Sequence, residues 1–192
     1  MIYGFGINDT GEPVHTVIDN KKVLCPYYER WRGMIRRCYS ESFKKNPQHR
    51  SYEGCSVSAE WAKLSEFKRW MQGQNWEGMH LDKDLLGCGK VYSPSNCTFI
   101  DPSVNSFITD RRNFRGSELV GVDKLPSGRF RSKICSLAEG KVLTLGTFDS
   151  EEEAFNCWLE NKYKQAEFLV GRQGQEFLKD YLTRTYSKQK LI

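Results

Sequence analysis

Apolar residues recur at helical spacing twice in the first half of the chain. From Pro26 to about Ser42 they fall at Tyr27, Trp31, Met34, Ile35 and Cys38, while Arg30, Arg36 and Arg37 lie mainly elsewhere on the wheel, the pattern of a helix with one buried face. Pro26 suits a first-turn position. A second predicted helix starts near Ser58, with Glu60 in its first turn and Trp61, Leu64, Phe67 and Met71 as its apolar stripe. This spacing makes Trp31, Trp61 and Trp70 core side chains that hold the two helices together. Ahead of them, turn signals at Asn8-Asp9-Thr10-Gly11 and Asp19-Asn20 flank Val14 to Ile18, which predicts a small hairpin or an extended arm.

A period of two then takes over. If residues 79–86 are a strand, Leu81 and Leu85 face one way and His80, Asp82 and Asp84 the other. Gly87 to Gly89 turn the chain, Cys97, Phe99 and their neighbours return as a second strand, and a helix begins near Pro102 with Asn105 on its first turn. Three further short strands are expected after residue 118, with turns at Pro126-Ser127-Gly128 and Ala138-Glu139-Gly140. In "GRFRSKI" the alternation sets Arg129, Arg131 and Lys133 on one face and Phe130 and Ile134 on the other. A helix follows with Ser150 as its N-cap, Glu151 to Glu153 in its first turn, and Ala154, Phe155, Trp158 and Leu159 on one face. A short helix and a basic end close the chain.

The expected class is therefore α+β: an N-terminal helical region with a hairpin and helix over residues 1–112, a three-stranded antiparallel sheet packed on one helix over 113–171, and a C-terminal piece over 172–192. With 192 residues, 39% apolar and 13% aromatic, each of the two larger parts can bury a core. There is no run of eighteen apolar residues, and "MIYGFGINDTGEPVH" lacks the basic-then-apolar order of a secretory signal, so a cytosolic protein is expected. Seven cysteines, at 25, 38, 55, 88, 97, 135 and 157, are odd in number and form no CxxC pair. Free thiols are expected rather than a disulfide framework or a zinc knuckle.

The net charge of +5 is unevenly spread. Residues 29–50 hold seven Lys or Arg against two acids, and residues 111–141 hold eight against three. Such clusters attract phosphate backbones and anionic membranes alike. Without an amphipathic membrane helix, nucleic acid is the favoured partner. His15 and His49 have no partner spacing and are expected at the surface.

The stretch "HLDKDLLGCGKVYSPSNCTFIDPSVN" gathers a histidine, carboxylates and asparagine amides, the groups a phosphodiester-cutting metal site needs and also those an ordinary solvated hairpin can carry. Together with "CPYYERWRGMIRRCYS", "YEGCSVSAEW" and "FKRW", it resembles the HNH nuclease family over about residues 1–110, in the form found in phage-encoded homing-type endonucleases. That resemblance implies a ββα unit gripping Mg²⁺ or another divalent ion, which withdraws charge from the scissile phosphate. It assigns His80, Asp82 and Asn96 catalytic roles, with His80 as base and Asn96 orienting it, and Asp82, Asp84 and Asn105 the metal. The chain departs from the family at the base: an Asp-His or His-His doublet is replaced by His80-Leu81 or Asp82-Lys83, and a lysine would have to be neutral to accept a proton.

Residues 118–168, with "GRFRSKI" and then "LGTFDSEEEA", resemble the Apetala-type DNA-binding domain of ethylene-response factors. What this implies is a sheet laid on the major groove of double-stranded DNA, with Lys124, Arg129, Arg131, Lys133, Lys141 and Thr144 at the contact. Here Asp123 stands where an arginine is expected. The function expected is a DNA-binding protein of HNH endonuclease type with a degenerate active site. The alternatives are a non-catalytic phage DNA-binding regulator or anti-defence protein, and basic faces that meet RNA or an acidic protein.

Overall fold

The computed structural model describes residues 1–86, 89–109, 119–173 and 177–186. The chain divides into two compact units, Met1–Asn105 and Ser106–Ile192. The boundary expected after residue 112, and most of the expected turn at Gly87 to Gly89, lie outside the described residues. The protein is of mixed α+β class, with small sheets between helices. No helix among the described residues is long and apolar enough to cross a membrane.

In the first unit, strands β1 (His15–Ile18) and β2 (Lys21–Leu24) form the expected hairpin. Its two-residue turn, Asp19 and Asn20, has φ of 48° and 58°; two successive positive values match the twist of the strands they join. Helix α1 (Pro26–Tyr39) buries Trp31, Met34, Ile35 and Cys38. It stops before Ser42 because the Ser40 side chain turns to accept the Phe43 N–H and cap a short helix, α2 (Glu41–Lys44). The basic segment that follows contains a 3-10 turn, Pro47–Tyr52, capped by Asn46.

The second predicted helix is split. Ala59–Ala62 is a 3-10 turn carrying Trp61, and α3 (Leu64–Gln72) begins only after Lys63. The cause is tertiary: Ile7 donates to the Ala62 carbonyl and accepts from the Leu64 N–H, which draws Lys63 into an extended conformation. Trp31 and Trp61 are fully buried, joined by a 2.8 Å hydrogen bond from Trp31 Nε1 to the Trp61 carbonyl, whereas Trp70 is half-buried and packs on Trp61 and Phe99. The chain at Gly6 crosses Trp31 so closely that a Cβ there would lie 2.8 Å from the indole.

Strand β3 (Ser56–Val57) runs parallel to β5 (Val91–Tyr92), and β4 (His80–Asp82) pairs antiparallel with β6 (Thr98–Ile100), leading into α4 (Pro102–Ile108). In the second unit, β7 (Val122–Lys124), β8 (Phe130–Cys135) and β9 (Val142–Phe148) make a three-stranded antiparallel sheet in that order. Helix α5 (Glu151–Gln173) covers its inner face, burying Ala154, Phe155, Trp158 and Leu159 near Val122 and Ile134. Ser150 accepts from the Glu153 N–H while the Glu153 carboxylate accepts from the Ser150 N–H, a reciprocal cap on the first turn. Gly121, at φ 79°, lies under Trp158, where a Cβ would meet the ring at 2.1 Å. A last helix, α6 (Phe177–Tyr186), buries Leu178, Leu182 and Tyr186.

Candidate functional sites: a hairpin and an open sheet

Strand β4 ends three residues in, not at residue 86, because of one side chain. Asp82 Oδ1 accepts the backbone N–H groups of Asp84 (2.9 Å) and Leu85 (2.8 Å), an Asx-type turn that replaces the ladder. The expected single face of His80, Asp82 and Asp84 is therefore not formed. His80 is exposed, Asp82 is buried, and Asp84 lies beyond the strand. Burial pushes the Asp82 carboxyl above its usual range, against the pull of its backbone hydrogen bonds.

Lys83 points inward. Its side chain is 5% exposed, and its ammonium binds Asp84 Oδ1 at 2.7 Å while lying 5.8 Å and 5.7 Å from the Tyr52 and Tyr92 ring centres. The Arg37 guanidinium approaches the same two rings. The charge is thus met by a carboxylate and two ring faces, the conditions that make burying an ammonium tolerable. Strand alternation does not set this direction, because β4 ends at Asp82, whose own side chain is buried. Nor were the partners Tyr52 and Tyr92, distant in sequence, legible beforehand.

The hairpin does bring His80 and Asn105 together, with Asn105 Nδ2 3.1 Å from His80 Nδ1. The register sets His80 opposite Ile100. Asp101 then caps the next helix through the Ser103 N–H and hydroxyl, returning Asn105 over the strand. Asn96 is engaged elsewhere, donating to the Val91 carbonyl at 3.3 Å across its own loop.

These donors do not fit a divalent ion as they stand. Asp82 Oδ1 is taken by two N–H groups, and Asp84 Oδ1 holds an ammonium where a cation would have to approach. Among the described residues no three His, Cys, Asp or Glu side chains gather closely enough to hold a metal. The free thiols nearby are of little help: burial pushes Cys38 up to about 11 and Cys97 up to about 12.

On the β7–β8–β9 sheet, alternation holds over β8: Ser132 and Ile134 are buried, and Arg131 and Lys133 face the other way. The pairs Asp123 with Arg131, Arg131 with Thr147, and Lys133 with Thr144 align these side chains across three strands. A bulge leaves Leu145 as the extra residue between Gly146 and Thr144. Thr144 and Thr147 are exposed.

The cations do not stand free, as the sequence led one to expect. Asp123 receives Arg131 at 2.8 Å and Lys133 at 2.6 Å, Arg129 binds Asp149 at 2.8 Å, and Lys141 binds Glu139 at 2.8 Å. The reason is register: the residue opposite Arg131 is an aspartate. Burial opposes ionisation of Asp123, but hydrogen bonds from Lys133 and Arg131 prevail and hold its carboxyl below the usual range. Lys124 lies 5.9 Å from the Phe130 ring centre.

No protein-family model, no curated protein and no solved structure matches the chain. His49, expected at the surface, is half-buried, stacked on Phe43 at 3.7 Å with Nδ1 2.9 Å from the Phe43 carbonyl.

Proposed function

We propose that this protein binds double-stranded DNA through the outer face of its C-terminal sheet. The observation that carries this is the row of Arg131, Lys133, Thr144 and Thr147, aligned by register on a face opposite to the one α5 covers. The row combines donors for phosphate with hydroxyls that can reach base edges. Its ion pairs are half-exposed, and such pairs are worth about 0–1 kcal/mol, so a phosphate can replace Asp123 at little cost. The trio of Arg131, Lys133 and Asp123 keeps a net positive charge even when closed.

For the N-terminal unit we favour a scaffold derived from an HNH-type nuclease over an active enzyme. If the doublet is Asp82-Lys83, the residue at the base position is committed to Asp84 and Asp82 to its own turn; if it is His80-Leu81, a leucine follows the histidine and Asp82 and Asp84 are still engaged. The second reading, phosphodiester hydrolysis with Mg²⁺ or a similar ion, draws on the contact between exposed His80 and Asn105. It would require Lys83 to leave Asp84.

One experiment separates these. Purified protein is incubated with labelled duplex and with supercoiled plasmid, with Mg²⁺, Mn²⁺ or EDTA, beside His80→Ala and Arg131→Gln/Lys133→Gln. Duplex binding that the double variant weakens, with no metal-dependent nicking, is the expected result. Nicking lost in His80→Ala establishes the enzyme instead, and absence of duplex binding ends the proposal.

A further inference from the structure

The cations of the sheet are mostly closed on acids, yet a second basic surface is not. In the first unit Arg32, Arg36, Lys45 and Arg50 are exposed and make no ion pair among the described residues, while the acids of the same segment, Glu29 and Glu41, are spent on Arg30 and Lys44. We infer that this face, formed by α1, α2 and the 3-10 turn, is a docking surface for the phosphate backbone of duplex DNA. The inference rests on the DNA-binding reading above and adds to it a second, sequence-independent contact.

The elements that carry these side chains are brought together by packing: α1 meets α2, and α2, which Lys45 follows, meets the 3-10 turn. Arg32 and Arg36 lie one turn apart on α1. The Arg36 guanidinium lies 5.1 Å from the Phe43 ring centre, which ties α2 to α1, and His49 stacks on Phe43, which ties the 3-10 turn beside Arg50 to both. Arg32 likewise lies 5.8 Å from the Tyr28 ring centre. A guanidinium held against an aromatic ring keeps its N–H edge outward and loses little freedom when it grips a phosphate.

What the face lacks narrows its partner. A single-stranded nucleic acid needs open aromatic platforms, but Phe43 here is already stacked. A bilayer surface needs an apolar row, and no large apolar side chain between residues 26 and 52 is exposed. Cations on a short helical rim, unpaired among the described residues, suit a regularly spaced duplex backbone.

The test is fluorescence anisotropy of the full chain on a labelled duplex across a salt series. It compares wild type, the Arg32→Gln/Arg36→Gln/Lys45→Gln/Arg50→Gln variant, a version that keeps Arg36 and its stacking on Phe43, and Arg131→Gln/Lys133→Gln. Each phosphate contact contributes about 0.9 to the slope of log affinity against log salt. The quadruple variant is therefore expected to lose about 3.6 from the slope and at least about tenfold in affinity, and the version keeping Arg36 about 2.7 of slope with its melting temperature unchanged. Unchanged slope and affinity in both variants, while wild type binds, overturn this face and leave the sheet reading standing. Tighter binding of the same face to duplex RNA or to anionic vesicles also overturns it. Absence of wild-type binding removes both readings together.

Discussion

Asp82 does its structural work as an acceptor, and an asparagine oxygen can do the same. Burial raises its carboxyl above the unfolded value, so the stability linked to its protonation is present at low pH and fades as pH rises through the folded value. Asp82→Asn is therefore expected to melt higher than wild type near neutral pH, with the gap closing as the medium becomes acidic. Asp82→Ala removes the acceptor of both bonds and is expected to cost about 1–3 kcal/mol at any pH. Thermal melts of the three proteins across pH check both. Lys83 offers a parallel contrast: Lys83→Met keeps the stem between Tyr52 and Tyr92 and loses the ion pair with a half-exposed Asp84, whereas Lys83→Ala also opens space in the core. The alanine variant is expected to be less stable than the methionine variant by about 1–3 kcal/mol in chemical denaturation.

At the scale of elements, caps and register decide outcomes. The reciprocal bonds between Ser150 and Glu153 satisfy donors at the start of α5; Ser150→Ala is expected to destabilise by about 0.5–2 kcal/mol, read by denaturant midpoint. On the sheet, Asp123 is an internal competitor for the proposed DNA contact. Its carboxyl is held below the usual range, so the stability it contributes is present above the unfolded value and lost as pH falls through the folded one. Asp123→Asn is accordingly expected to lower the melting temperature near neutral pH and to have no such effect in strong acid. On duplex DNA the same variant is expected to bind tighter than wild type, because Arg131 and Lys133 are released. Weaker binding would place the DNA elsewhere.

Across the whole molecule, two units of different build carry different kinds of positive charge. In the first, the unpaired cations stand on helices held by Trp31, Trp61 and Phe67; in the second, they sit on strands and share carboxylates. Removing charge from both faces is expected to reduce the salt dependence of duplex binding roughly additively, measurable as the sum of the two slope changes.

Much of this was written in the order of residues. The apolar periods fixed where α1, α5 and the three-stranded sheet would form, the Asp19-Asn20 and Ser150 signals marked a turn and a cap, and alternation separated Arg131 and Lys133 from Ile134, because these depend on neighbours a few positions apart. The early end of β4 was a local contest between the ladder and the Asp82 side chain; the split at Lys63, the burial of Lys83 between Tyr52 and Tyr92, and the closure of Asp123 on two cations were decided by tertiary structure. Each of these three depends on a partner brought near by folding, which local spacing does not encode.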